Sequence, residues 1–184
     1  MYYSLICNII GTSFFSRLKS NKKEAEMAEI LTKELVTHAI NFLRPSIREI
    51  LENMDCIWGP TWVEIVFSGP RGLFVQSSAG FKTEWNPAWG EQRDFSAVAE
   101  GKHNLSQRER MSGSAIVQHE PWRLQRGDWL YSGSAYREGG LVCGVSGAKG
   151  EVDEMIANLV LETVIGLCIL RRRELHDNGV KQIC

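Results

Sequence analysis

The chain has 184 residues and a formal net charge of −1, with 43% hydrophobic and 23% charged residues. This length suits one domain that buries roughly two thirds of its unfolded surface and needs no disulfide or metal to hold it together. The balanced charge argues against a nucleic-acid partner, which usually requires a strongly basic domain. The five cysteines are widely spaced and form no CxxC pair, so neither a zinc ribbon nor a thioredoxin-like motif is predicted, and a reducing, cytoplasmic compartment is favoured.

The first fifteen residues are mostly apolar, and four basic residues follow between positions 17 and 23. A secretory signal has its basic residues before the apolar run, and a membrane-spanning helix needs about 20 apolar residues, so a membrane anchor is not favoured. We expect residues 1–26 to form a poorly ordered extension that is dispensable for folding. A single domain is then expected over residues 27–176, with a tail over residues 177–184.

Residues 27–54 predict the first helix, because apolar side chains recur there at steps of three and four. These side chains are Leu31, Leu35, Ala39, Leu43, Ile47, Ile50 and Met54. Pro45 removes one backbone donor and is expected to kink this helix or split it near Arg44.

A hairpin and a loop are predicted next. Thr61–Phe67 alternates as a strand does, and the turn cluster Ser68–Gly72 leads to a partner strand over Leu73–Ser77. Residues 79–93 contain glycine, proline and tryptophan and predict a loop with aromatic anchors.

The second half of the chain predicts a similar order. Its elements are a helix from the capping residue Asp94 to about Met111, strands over Trp129–Tyr136 and Leu141–Val145, and a last helix over about Glu151–Glu174. A Gly-Gly pair joins the two strands, because glycine adopts positive φ at little cost. Ser146–Gly150 predicts a glycine-rich turn, and Ser112–Arg126 stays ambiguous.

The order helix, hairpin, helix, hairpin, helix predicts an α/β domain of the α+β type, with one antiparallel sheet packed with helices. The apolar band of the last helix is wider than packing on a sheet requires, since Val160, Val164 and Ile169 lie beside the main stripe. A second copy of the chain is the expected cover, because monomers seldom expose large apolar patches. The first helix or residues 1–26 are the alternative covers.

The stretch from Tyr136 to Ala148, YREGGLVCGVSGA, followed by Asp153 in a helix start, is similar to the closing signature of the GlcG/HbpS-type domains, a group that includes haem-degrading, haem-binding-like and PduO C-terminal-like members. Ser96–Ser114, which contains Lys102, is similar to the middle helix of that family. The resemblance implies a profilin-like sandwich, self-assembly into oligomers and, in some members, binding of haem or a small organic ligand.

Two groups of residues are candidates for ligand binding. The turn before the last helix could hold an anion on exposed backbone amides, with Lys149 adding charge; its alternative is a tight turn whose helix end is already occupied by acidic residues. On the middle helix, Lys102 and His103 could line a pocket, and a neutral imidazole can ligate haem iron; the alternative is a solvated helix face. The candidate residues are Lys102, His103, Ser146, Gly147, Ala148 and Lys149. No metal site is predicted.

The cysteines and tryptophans give weaker indications of burial and of a binding surface. Cys143 and Cys168 lie in apolar runs and are expected to be buried, reduced thiols. Of the six tryptophans, those on predicted strands are expected in the core, whereas Trp85 and Trp89 are candidates for an interface or a pocket.

The leading hypothesis is a non-enzymatic, oligomeric binding protein for haem or a small anionic organic ligand. One alternative is an enzyme, or an enzyme accessory domain, that acts on a small organic acid in the same pocket. Another is a profilin-like interaction scaffold. No HExxH, GxSxG or metal-spaced carboxylate motif is present, so a hydrolase is disfavoured and no catalytic residue is predicted.

Overall fold

The computed structural model of the chain describes residues 30–53, 61–81 and 93–180. Within these ranges, three long helices and four strands form the fold. In chain order they are α1 (Lys33–Asn53), β1 (Thr61–Ser68), β2 (Phe74–Phe81), α2 (Phe95–Glu109), β3 (Ser134–Arg137), β4 (Leu141–Ser146) and α3 (Gly150–Asp177). The predictions for residues 1–26, and those for Trp85 and Trp89, lie outside the described residues.

The four strands form one antiparallel sheet in the order β2-β1-β4-β3. The two hairpins therefore meet through their β1 and β4 strands, where Ile65 lies opposite Val145. Helices pack on this sheet, which confirms the predicted α+β class and the single domain.

Helices α1 and α3 cover one face of the sheet, and α2 covers the other. The first face holds the apolar core, because strand residues such as Ile65, Phe67 and Cys143 join one buried cluster with the inner sides of both helices. On the second face, α2 lies so close to β4 that a Cβ added at Gly144 would be 2.4 Å from the carbonyl oxygen of Ala99. The fold is thus a three-layer arrangement with unequal outer layers.

Helix α1 begins later than the periodicity predicts. Thr32 Oγ1 accepts a hydrogen bond from the amide of Leu35 at 3.2 Å, so Thr32 acts as the cap and residues 30–32 precede the helix. The helix then continues through Pro45 to Asn53, so of the two expected effects of Pro45 the split near Arg44 is wrong and the kink stays a prediction. Pro45 lies on the exposed side of α1, where its ring meets solvent.

The strand boundaries differ from the prediction by at most one residue in most places and by more at the end of β2 and the start of β3. Strand β2 extends to Phe81, because it pairs with β1 over its full length and enters the stretch predicted as a loop. Strand β3 begins only at Ser134, since Gly133 has a φ of +135° and breaks the extended chain. Ala115–His119 and Pro121–Arg123 form short helical turns in the ambiguous segment.

The predicted burial of the tryptophans and cysteines holds at some positions and fails at others. Trp62 and Cys143 are buried, as predicted. Trp129 lies outside β3 and is only half-buried, with its indole beside Gly101. Cys168 is half-buried on α3. No helix in the described ranges is both long and apolar enough to cross a membrane.

Candidate functional site

Helix α2 turns Lys102 and His103 towards the sheet. Their exposed fractions are 3% and 2%, so the alternative of a solvated helix face is wrong for both residues. The helix can bury them because Gly144 of β4 has no side chain at the contact: a Cβ there would be 2.8 Å from the backbone nitrogen of His103. The two residues therefore belong to a buried polar layer between α2 and the sheet.

Lys102 forms a buried ion pair with Asp153 from the first turn of α3. Its Nζ atom donates to Asp153 Oδ2 at 2.7 Å and to the carbonyl oxygen of Val145 at 3.2 Å. The side chains are 4% and 1% exposed. A Cβ added at Gly133 would be 2.6 Å from Nζ, so a larger residue there would displace the lysine. One lysine thus joins α2, β4 and α3.

The glycine-rich turn Ser146–Gly150, which we name the junction, is closed by Asp153. Oδ1 of Asp153 accepts a hydrogen bond from the amide of Ala148 at 2.9 Å, and the neighbouring amide of Gly147 also favours the charged carboxylate. Burial raises the pKa of Asp153 to about 7, although Lys102 and the two amides act in the opposite direction. An external anion at the junction would have to displace this internal carboxylate.

The other predicted residues of the junction differ in exposure. Ser146 and Gly147 are buried, whereas Ala148 and Lys149 are half-buried. Lys149 precedes the first residue of α3, and its side chain makes no capping hydrogen bond. The structure therefore brings Lys102, Gly147 and Ala148 together around Asp153, and it leaves Lys149 at the edge of the group.

His103 lies in a hydrogen-bonded line with Ser68 and Asn104. Its Nε2 atom is 2.7 Å from Ser68 Oγ, and its Nδ1 atom is 3.1 Å from Asn104 Oδ1. A proton on Nδ1 lets the ring donate to Asn104 and accept from the serine hydroxyl, which is the connectivity of a nucleophile, a base and an orienting group. Burial lowers the pKa of His103 and favours the neutral ring.

Ser68 and His103 are sealed from solvent, whereas Asn104 at the other end of the line is exposed. Ser68 is only 5% exposed, and the ring of Phe74 meets the imidazole edge-on at 6.2 Å between centroids. The next amide, that of Gly69, donates to the carbonyl of Leu73 and so is not available to a reacting oxygen. Haem iron does not fit at His103 either, because both ring nitrogens already have protein partners.

Arg108 does not join Lys102 and His103. It points away from the buried layer and donates from Nη2 to Asp128 Oδ2 at 2.7 Å, and it also contacts Glu109. Arg123 bonds to Glu109 and Glu120 in the same network. These contacts brace the segment between α2 and β3 at the surface.

A second region, which sequence reasoning missed, lies between α1 and β2. We name it the groove; it is open to solvent on one side, has a volume of about 460 Å³ and is lined by Arg44, Pro45, Arg48, Glu49, Glu52, Gly80 and Phe81. Arg48 places its guanidinium carbon 3.7 Å from the centroid of the Phe81 ring and donates from Nε to Glu52 Oε1 at 2.8 Å. Arg44 donates to Asn41 and Ser77. Among the described residues, both cations line the wall of the groove.

The sequence offers a weak signal for this groove. Arg44 and Arg48 are four residues apart on a helix, so they share a face, but such pairs are usually solvated. Phe81 falls in the segment predicted as a loop, and nothing in its local pattern places it under an arginine. Among the described residues, no group of three or more His, Cys, Asp or Glu side chains is placed to hold a metal ion.

No protein-family model matches the chain, and no curated protein matches its sequence. A solved structure titled "Crystal Structure of HbpS" is similar, with a TM-score of 0.45 and 19% sequence identity, over 76% of this chain and 93% of that chain. The similarity is distant, and it assigns neither a family nor a ligand to this chain.

Proposed function

We propose that this chain is a non-enzymatic binding protein for a small anionic organic ligand, and that the ligand is a monocarboxylate held in the groove. The observation that carries the proposal is the position of Arg48, fixed between Glu52 and Phe81 at the wall of a space of about 460 Å³. Cavities that hold small ligands measure roughly 300–1,000 Å³.

The guanidinium of Arg48 is already oriented for a carboxylate. Within the described residues it uses only Nε for a hydrogen bond, to Glu52. Its two terminal nitrogens form the planar fork that recognises a carboxylate through two parallel hydrogen bonds. The Phe81 ring beneath it restricts the guanidinium, so less conformational entropy is lost when a ligand binds.

The rest of the groove limits the charge of the ligand. Two arginines are balanced by Glu49 and Glu52, so a polyanion would meet repulsion from the glutamates. Pro45 and the edge of Phe81 offer apolar contact to an uncharged body. A single carboxylate on a small apolar group meets both conditions.

Isothermal titration of the full chain with benzoate tests the proposal. An affinity on the order of millimolar is expected for so small a ligand. Arg48→Gln should weaken binding by about ten- to a hundredfold, because a charge-assisted hydrogen bond contributes about 1.5–3 kcal/mol. Arg126→Gln, at an exposed position outside the groove, is the matched control. Equal affinity of wild type and Arg48→Gln would overturn the proposal.

Haem, the ligand that the family resemblance implies, is tested by titration with haemin. Because iron does not fit at His103, we expect His103→Ala to leave the haemin titration unchanged. A Soret shift that saturates at one haem per chain and is lost in His103→Ala would replace the monocarboxylate with haem as the ligand.

A profilin-like interaction scaffold is the second candidate. Trp122, Leu130 and Tyr131 are 75%, 66% and 57% exposed on the segment that the Arg108 network braces. Large exposed side chains on a rigid support are typical of protein interfaces. A partner whose binding is lost in Trp122→Ala but kept in Phe42→Ala, at an exposed position on α1, would favour this candidate.

A further inference from the structure

Helix α3 is much longer than the sheet on which it lies. With 28 residues it measures about 42 Å, whereas the six residues of β4 measure about 20 Å. Arg137, the last residue of β3, donates from Nη2 to Glu162 Oε1 at 2.7 Å, so α3 passes the end of the β3–β4 hairpin near Glu162. The residues from Glu162 to Asp177 extend about 22 Å further.

We name residues 165–177 the overhang. Val164 is the last buried residue of α3. Within the overhang, Leu167 and Cys168 pack partly against the core, and Ile169 is 43% exposed. Ile165, Leu170 and Leu175 are only partly buried. An apolar side of the helix therefore remains partly in water over the described residues.

The described part of the chain begins at the end of the sheet from which the overhang projects. The Cδ2 atoms of Leu31, Leu73 and Leu141 lie 3.0, 3.2 and 3.4 Å from the position of a Cβ added at Gly69. Leu141 in turn pairs with Arg137 at the end of the hairpin. The first described residue, Ile30, thus precedes α1 beside the end of the sheet from which the overhang projects.

The 29 residues before Ile30 have the composition that the overhang requires. Residues 1–15 are mostly apolar, and Glu24, Glu26 and Glu29 come directly before Ile30. The overhang exposes Arg172 and Arg173 beside its apolar side. The fourteen residues 16–29 can span up to about 48 Å, which exceeds the length of the overhang.

We infer that residues 1–29 dock on the overhang of their own chain, with the apolar start against Ile165, Ile169 and Leu170 and the glutamates near Arg172 and Arg173. The apolar contact removes hydrocarbon from water at about 25 cal/mol per Å², and the charges set the direction of the segment. The wide apolar band of the last helix is then covered from within the chain, and residues 1–26 are more than an unattached extension.

Hydrogen–deuterium exchange on the full chain tests this inference. We expect amides within residues 1–15 to exchange at least tenfold more slowly than in an unstructured peptide. Ile169→Asp should abolish that protection, whereas Met155→Asp should keep it. Met155 is the matched control, because it lies on the same helix at 39% exposure but near its other end. Unprotected amides in the wild type, or equal effects of the two variants, would overturn the inference.

Cross-linking gives a second readout without changing the overhang. Cys7 lies in the apolar start and Cys168 on the overhang. In a full chain carrying Cys56→Ser and Cys184→Ser, mild oxidation should join Cys7 to Cys168 within one chain. Peptide mapping identifies the bond, and light scattering gives the mass. A mass of two chains at micromolar concentration, with the disulfide between chains, would show that a second copy covers the overhang and would contradict the inference.

Discussion

The junction and the groove use the same chemistry, a cation beside a carboxylate, in opposite ways. At the junction the side chains of Lys102 and Asp153 are 4% and 1% exposed, and every partner comes from the fold. In the groove the side chains of Arg48 and Glu52 are 52% and 43% exposed, and among the described residues both line its wall. Burial therefore separates a charge that holds the fold from a charge that can meet a ligand.

Removing the carboxylate of Asp153, which closes the junction, should cause the largest loss of stability. Asp153→Ala leaves the Lys102 cation buried without its partner and frees the amide of Ala148. Loss of one partner of a buried pair costs about 3–5 kcal/mol. The exposed Glu151 shares the first turn of α3, and its replacement by alanine should cost under about 1 kcal/mol. Urea unfolding measures both, and similar losses in the two variants would contradict the structural role of Asp153.

The next largest loss of stability should come from a substitution that crowds the contact between α2 and β4. Gly144→Ala places a Cβ 2.4 Å from Ala99 O and should cost about 1–3 kcal/mol through overpacking. For Gly166, inside α3, no described atom outside the helix's own backbone lies within 4 Å of an added Cβ. Gly166→Ala should therefore stabilise the protein by about 0.5–1 kcal/mol, because alanine favours a helix. Thermal unfolding that moves in the same direction for both variants would contradict this packing.

The pH dependence of stability should distinguish buried from surface carboxylates. Because the folded pKa of Asp153 is raised to about 7, its contribution is present below the unfolded value of 3.8 and is lost as the pH rises towards 7. Arg108 lowers the pKa of Asp128, so that contribution is present above 3.8 and is lost as the pH falls through the folded value.

The measurement compares wild type with Asp153→Asn and with Asp128→Asn from pH 3 to 8. The difference from each variant isolates one carboxylate, since the lowered pKa of His103 acts equally in both proteins. The wild-type advantage over Asp153→Asn should shrink between about pH 4 and 7. An advantage that stays constant across this range would mean that Asp153 is ionised throughout.

The fold was predictable because its signals are local. Apolar periodicity locates α1 and α3, and the Gly139-Gly140 turn locates the second hairpin. The boundaries were less predictable, because tertiary contacts decide them. Pairing with β1 extends β2 to Phe81. The positive φ of Gly133, which is packed closely by its neighbours, means that β3 begins only after it.

The candidate site was harder to predict, because residue type does not reveal burial. Lys102 looks like a ligand-binding or a solvated lysine in sequence, and its partner Asp153 is 51 residues away. The groove combines Arg48 of α1 with Phe81 of β2, a pairing that the packing of α1 against β2 creates. Both features depend on contacts between distant segments.

Replacement of Lys149 should have the smallest effect on stability and on the affinity for benzoate. Lys149 lies at the edge of the junction without a capping bond, so Lys149→Gln should change stability by less than about 0.5 kcal/mol. It should also leave the affinity for benzoate unchanged. Titration calorimetry of this variant, set beside Arg48→Gln, tests which cation meets the ligand; a tenfold loss in Lys149→Gln would move the site to the junction.

Chemical-shift mapping of the full chain with benzoate tests the central claim most directly. If the groove holds the ligand, saturable changes in the amide spectrum should concentrate on residues 44–52 and on Gly80 and Phe81, and the amides of residues 146–149 should stay unchanged. Changes concentrated on residues 146–149, with the groove unaffected, would contradict the account.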